Sequence, residues 1–294
     1  MQRSPASAQT APIRIGAAPT DAHAQPFYAQ ELGYFKRAGL NVEVTISGRA
    51  GAAAEMVAAG ALDVCLADPI QVAHPFNAGV PLAFFAGGGL YTSDHPTTLL
   101  VVAADSPIRS AKDFAGQTIA VIGLASISSV AVREWLRQNG ADVDRVKLAE
   151  LQFASMVASL QRGVVAGAFL AEPFLSAATG SVRVLAKAYD AISTSFAIST
   201  FFSSRVWIAK NRDAARRFAA VMYDTARWAN AHQNDSAEIL AKISKIDLER
   251  IRAMTRITYA GSLEPQQLQP TLDAALKYNQ LERRVDARDL IYKA

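Results

Sequence analysis

Ile13-Arg14-Ile15-Gly16-Ala17, a helical stretch from Pro26 to Ala38, and Val42-Glu43-Val44-Thr45-Ile46 form the opening pattern of this chain. Both outer runs are short, apolar and rich in β-branched residues, which suit a pleated strand. Pro26 lies in the first helical turn, where a missing N–H costs nothing, and Gly39 lies just past the end, where a left-handed residue closes a helix. Strand, helix and strand in this order predict parallel pairing with the helix packed across the sheet. The same grammar continues outward. A helix over Ala52–Ala59 stops at Gly60 and leads into strand Asp63–Ala67, and a short helix precedes Pro81 and strand Leu82–Ala86.

A second unit then begins. Thr98–Ala103, Thr118–Ile122, Val146–Leu151, Ala166–Ala171 and Val182–Ala186 read as strands, with helices over Ser128–Gln138 and Ala154–Gln161. The two units share a phrase: helix, Gly60, apolar strand, Asp68-Pro69 in one, and helix, Gly163, apolar strand, Glu172-Pro173 in the other. After a strand-like run, Phe196–Ser203, the chain is helical over Arg212–His232, Ser236–Lys242, Asp247–Met254 and Pro265–Leu281. The predicted class is α/β, with two doubly wound, mostly parallel lobes joined by crossing strands and C-terminal helices packed on the first lobe. Ligands of open parallel sheets sit beyond the carboxyl ends of the strands, so two facing lobes define one shared cleft.

Composition narrows the function. Of 294 residues, 51% are hydrophobic and 19% charged, ample for packed cores. The net charge is +4, but 26 acidic residues are interleaved with 30 basic ones, so the clustered basic stripe of a nucleic-acid binder is missing. Cys65 is the sole cysteine and lies in the apolar run Asp63-Val64-Cys65-Leu66-Ala67, where a small buried hydrophobe is expected. No apolar stretch reaches the roughly 18 residues of a membrane span. Ala6-Ser7-Ala8 fits the small-residue pattern before a leader cleavage site, so residues 1–10 are expected to be a leader remnant or a disordered tail.

Several motifs carry a family likeness. Ala29-Gln30-Glu31-Leu32-Gly33-Tyr34-Phe35-Lys36-Arg37-Ala38-Gly39-Leu40-Asn41-Val42, then Gly60-Ala61-Leu62-Asp63, then Ser106-Pro107-Ile108 with Lys112-Asp113-Phe114-Ala115-Gly116, then Gly163 with Glu172-Pro173-Phe174, occur in family order. Together they resemble the ABC-importer binding proteins for nitrate, taurine, aliphatic sulfonates and thiamine pyrimidine precursors. The resemblance implies a type II periplasmic-binding-protein-like fold, with lobe 1 at 11–96 and 200–294 and lobe 2 at 97–199. It also implies an exported, periplasmic, monomeric, cofactor-free and non-catalytic subunit, which binds a small molecule and passes it to a membrane permease driven by a cytoplasmic ATPase. Two departures stand out: Ala166 or Gly167 replaces the family's Asp after the second helix glycine, and Arg49 replaces a residue that many members keep neutral.

Four loops are expected at the cleft. The first follows strand one and offers Thr20 and His23, with Phe27 close behind; a core role for the aromatic is the plain alternative. The second offers Gly48, whose backbone admits a ligand, and Arg49, suited to a carboxylate or sulfonate or else a surface residue. The third, Gly123–Ser129, opens a helix, where Ser126, Ser128 and Ser129 and free N–H groups favour a polar or anionic group; one serine is expected to serve only as a cap. The fourth comprises Asp68 and Glu172, acids at the ends of apolar strands that must be paired or wet. Two acids would favour a ligand with an N–H donor, whereas Arg49 would favour an anion.

Other classes lack their signatures. Neither a nucleophile elbow nor a P-loop occurs, and His23, His74, His95 and His232 show no metal-ligand spacing. An enzyme similar to thiamine-pyrimidine synthase is the alternative on the same fold, but that enzyme carries a cysteine-rich iron motif. A sensor-type regulator would place about 60 residues of DNA-binding helices before strand one, which begins at Ile13.

Overall fold

The computed structural model describes residues 11–46 and 52–293. Three sheets order the chain. The first runs β2 (Val42–Ile46), β1 (Ile13–Ala17), β3 (Val64–Ala67), β12 (Thr200–Ser204), β4 (Leu82–Gly87). The second runs β10 (Val182–Ala186), β6 (Thr98–Ala103), β9 (Gly167–Ala171), β7 (Thr118–Val121), β8 (Lys147–Glu150). A small third sheet, β11 (Ser195–Ala197), β5 (Gly89–Thr92), β13 (Thr258–Tyr259), lies on the two connections between the lobes.

The two large sheets repeat one plan. Each has a parallel trio, β2-β1-β3 or β8-β7-β9, followed by a strand of opposite direction, β12 or β6. The sheets are mostly parallel: in each lobe four strands run in one direction, and the strand received from a crossing connection, β12 or β6, arrives antiparallel. Ile15, Val64, Cys65 and Leu66 fill the first sheet, all at most 4% exposed. Cys65 behaves as a small hydrophobe, its thiol pushed up to about 12 by burial.

Two predicted elements divide. The helix over Pro26–Ala38 becomes Gln25–Glu31 and Tyr34–Arg37, because Gly33 adopts φ 68° between them. The run Phe196–Ser203 becomes β11 and β12, parted at Ser199, whose hydroxyl accepts from Gly89 N (2.8 Å) and donates to Ala22 O (2.6 Å). Gly88 faces this corner, where a Cβ would stand 2.6 Å from Ser199 O.

The missing acid of the second lobe has a physical account. In the first lobe Asp63 N donates to Arg14 O (2.9 Å), while the Asp63 carboxylate accepts from Arg14 N (2.9 Å), Nε (3.0 Å) and Nη2 (2.9 Å). In the second, Ala166 N makes the same backbone bond to Thr118 O (2.8 Å). Threonine offers no guanidinium, so the acid and its partner are lost together.

The turn after β1 is held by a buried ion pair. Arg256 Nη2 lies 2.9 Å from Asp21 Oδ1, with side chains 5% and 1% exposed. Asp21 Oδ2 also accepts from Ile257 N (2.7 Å), and Arg256 Nη2 donates to Tyr28 Oη (3.0 Å) and Ser236 Oγ (3.1 Å). The Tyr259 hydroxyl donates to the Asp21 carbonyl. A buried charge without its partner is costly, so Arg256→Met is expected to lower stability by about 3–5 kcal/mol. Paired Asp21→Asn/Arg256→Met should recover part of that loss. Urea unfolding of the three proteins checks both outcomes.

Candidate functional site

A cavity of about 330 Å³ lies between the lobes, a volume in the range of small-molecule sites. The first lobe contributes Thr20, His23, Asp68 and Gln71; the second contributes Ser128, Gln152, Phe153, Phe169 and Phe174. Tyr189 and Ile198 approach from the connections. Phe153 and Phe174 stack at 5.9 Å with 24° between planes, and Phe169 meets Tyr189 edge to face at 4.7 Å. These rings make most of the second lobe's wall apolar. Among the described residues lining the cavity there is no lysine or arginine.

Asp68 is the cavity's carboxylate and is 5% exposed. It caps the helix Pro69–Asn77, with Oδ1 accepting from Ile70 N (2.9 Å) and Gln71 N (3.1 Å). The N–H of Ile127, at the start of the second lobe's helix Ile127–Gln138, also faces the carboxylate. Burial pushes the acid up to about 7, with the Gln71, Ile70 and Ile127 N–H groups opposing that rise. The Tyr189 hydroxyl is raised in turn by its burial and by the Asp68 charge. His23 Nδ1 is sealed from solvent without a partner, and burial lowers this imidazole to about 4, so it is neutral at pH 7.

Of the residues expected at the cleft, Thr20, His23, Asp68 and Ser128 line the cavity. The others go elsewhere. Phe27 is packed in the core. Ser126 occupies the N-cap position, but its hydroxyl donates to Gly123 O (2.6 Å) and meets Ser128 Oγ (2.6 Å). Ser129 is 1% exposed, its hydroxyl without a partner and away from the cavity wall. Glu172 is corrected more sharply. Its Oε2 accepts from Ser176 N (3.0 Å) and its Oε1 from Ser176 Oγ (2.9 Å), so both oxygens turn to the following helix rather than to the cavity. Gly48 and Arg49 lie outside the described residues.

Reasoning from sequence missed Gln71, Gln152, Phe153, Phe169, Phe174 and Tyr189. Gln152 and Phe153 directly follow β8, so the rule about strand ends reaches them. Phe174 belongs to the Glu172-Pro173-Phe174 motif. Phe169 sits inside a strand and reads as core, and Tyr189 is delivered by a turn that no local pattern marks.

Two facing α/β lobes, crossing connections and a cavity walled from both sides define a periplasmic-binding-protein-type clamp. The chain belongs to the NMT1/THI5-like family, whose sequence pattern matches residues 20–236. No curated protein sequence matches it. The fold is shared with the periplasmic aliphatic sulphonate binding protein of Escherichia coli (TM-score 0.76, 21% identity, covering 97% of this chain and 93% of that one). It is shared too with the alkanesulfonate-binding protein of Xanthomonas axonopodis pv. citri bound to MOPS (0.80, 19%, 98% and 100%). The periplasmic nitrate-binding protein of Synechocystis PCC 6803 is a third (0.77, 14%, 94% and 83%). A desulfurization enzyme has the fold as well (0.69, 15%, 95% and 95%), so this scaffold carries both binders and a catalyst.

The Asp68 shift sets a pH dependence. The carboxyl rises from 3.8 to about 7 on folding, so between those values the folded chain keeps a proton that the unfolded chain releases. Stability from this group is therefore present at low pH and lost as pH rises through about 7. Asparagine caps the helix without the charge. The melting temperature of Asp68→Asn minus that of wild type is expected to grow between pH 5 and pH 8. Parallel melts of the unliganded proteins across that range check it, and a flat difference would contradict the buried-acid account.

Proposed function

We propose that this chain is the extracytoplasmic substrate-binding subunit of an ABC importer. It captures a small organic molecule by closing its lobes and hands it to a membrane permease driven by a cytoplasmic ATPase. The carrying observation is the cavity of about 330 Å³ whose polar and aromatic walls come from both lobes, with the connecting strands alongside. A ligand touching both walls stabilises the closed form by its differential contacts, the physical basis of capture. The moving bodies are residues 11–96 with 200–294, and residues 97–199. The chain works as an exported monomer.

Thr20, His23, Asp68 and Ser128 supply polar contacts, and Phe153, Phe169 and Phe174 supply an apolar bed. This lining favours a ligand with a flat or aromatic body over a bare inorganic anion such as nitrate. Taurine is small and wholly polar, and would leave the phenyl faces uncovered. The heterocycle class fits the wall better, with a donor for Asp68 and His23. The reading as a binder rather than a catalyst rests on the same lining. Its titratable groups are a neutral imidazole, a buried carboxyl and a buried phenol, and the sole cysteine is sealed inside the first sheet.

A thermal-shift screen of heteroaromatic compounds, aromatic acids, sulfonates and nitrate identifies ligands, since one that binds only the folded state raises the melting temperature. A true ligand should compact the protein in small-angle scattering. Phe153→Ala should weaken it by about 1–3 kcal/mol, the worth of a buried phenyl, in isothermal titration. Tight binding with an unchanged scattering profile would overturn the clamp.

A further inference from the structure

The helix Ile127–Gln138 opens with an unusual arrangement of donors. Its N-cap residue Ser126 has extended backbone (φ −154°, ψ 165°), as an N-cap should, yet makes no side-chain cap bond. Its hydroxyl is diverted to Gly123 O and Ser128 Oγ. The first-turn N–H groups of a helix have no partner within the helix, and the helix dipole makes this end attractive to anions. Ile127 and Ser128 at that end both line the cavity. An anionic ligand would find its natural seat here.

The seat is already shared with an acid of the protein itself. Asp68, from the opposite lobe, lines the same cavity as Ile127 and Ser128, while its Oδ1 caps its own helix through Ile70 N and Gln71 N. One side chain thus caps a helix of the first lobe and shares the cavity with the helix start of the second. No lysine or arginine among the described lining residues offsets its charge. The other cavity group that calls for a partner is His23 Nδ1, a neutral nitrogen sealed from solvent and unpaired.

We propose that Asp68 sets the charge selectivity of this cavity, standing at the lobe 2 helix start in place of a ligand anion, so that the protein selects neutral or cationic ligands against sulfonates and carboxylates. The inference rests on the cavity being the ligand site proposed above. Like charges in a poorly solvated site repel strongly, so a bound sulfonate would have to displace or protonate Asp68. The same backbone N–H donors would serve an anion once that carboxylate is gone. Charge selectivity here follows from one substitutable side chain rather than from the scaffold.

Three probes of one ring size separate charge from shape: benzenesulfonate, benzenesulfonamide and benzamidinium. They are titrated into wild type, Asp68→Asn and Asp68→Ser at pH 8.5, above the value of about 7 at which Asp68 ionises, and at one ionic strength. Both substitutions retain an N-cap residue, so folding is preserved, and melts of each variant confirm it. Wild type is expected to prefer benzenesulfonamide and benzamidinium over benzenesulfonate by at least about tenfold, the order of one unscreened charge contact. In both variants the ratio of benzenesulfonate to benzenesulfonamide affinity should rise by about tenfold or more, with benzamidinium weakened. As a second readout, millimolar sulfate should raise the melting temperature of Asp68→Ser above that of wild type, each against chloride of equal ionic strength. An unchanged ratio together with no sulfate effect overturns the assignment. So does tight benzenesulfonate binding by wild type that is lost in Arg49→Ala, which would make Arg49 the selector. A gain of anion affinity in the variants, with no compaction of wild type by any ligand, supports the role of Asp68 and counts instead against capture by lobe closure.

Discussion

The buried pairing of Asp21 with Arg256 is the constraint on which the rest of the structure hangs. Asp21 follows β1 by four residues, between the cavity residues Thr20 and His23, and Arg256 lies two residues before β13 in the sheet between the lobes. Tyr28 and Tyr259 meet edge to face at 6.2 Å over the same cluster. The Asp21 amide reaches the second lobe by donating to Glu172 O (3.2 Å). A charge at 1% exposure tolerates little displacement, because each lost hydrogen bond leaves an uncompensated group in low dielectric. The cavity-facing loop of the first lobe is therefore fixed by the connecting region, and positioning at the cavity is coupled to geometry between the lobes.

Much of this architecture was legible because apolar runs and glycine punctuation act locally. β1, β3, β7 and β9 announce themselves by composition, and the rule that ligands sit beyond strand ends points to the loops that place Thr20, His23, Asp68 and Ser128 on the cavity wall. The failures arise where a side chain had two possible partners. Asp68 and Glu172 follow equivalent strands, and sequence alone treats them alike. Asp68 gives Oδ1 to its own helix, whereas Glu172 has both oxygens taken by Ser176. A serine four residues on decides the difference, and only the folded turn shows that it points back. Likewise Ser126, a residue of good capping type, spends its hydroxyl on Gly123 and Ser128 and makes no cap bond to its helix. Tyr189 and Phe169 are products of tertiary packing with no local mark.

The cavity holds polar groups at a local cost. Burial keeps a proton on Asp68 up to about pH 7, and His23 keeps a nitrogen without a partner. Each is a small local loss that a larger favourable core offsets. Away from the cleft, Glu134 on the second lobe is satisfied by Lys277 Nζ (2.7 Å), Tyr278 Oη (2.5 Å) and Arg137 Nη2 (2.6 Å), tying the end of the helix Pro265–Lys277 to the helix that begins at the cavity.

The strand order of the first sheet governs when this molecule can fold. β12 lies between β3 and β4, yet Thr200–Ser204 is separated from both by the entire second sheet, whose strands occupy residues 98–186. During synthesis the second sheet has all its strands as soon as β10 emerges, while β3 and β4 still await the strand that joins them. Long-range pairing of this kind is slow because the chain loses loop entropy before any contact compensates. The first lobe thus stays open-edged through most of translation, exposing an unpaired template along β3 and β4. A nascent chain in that condition is a natural client for a holdase and a ready substrate for threading through a narrow channel before it completes its fold.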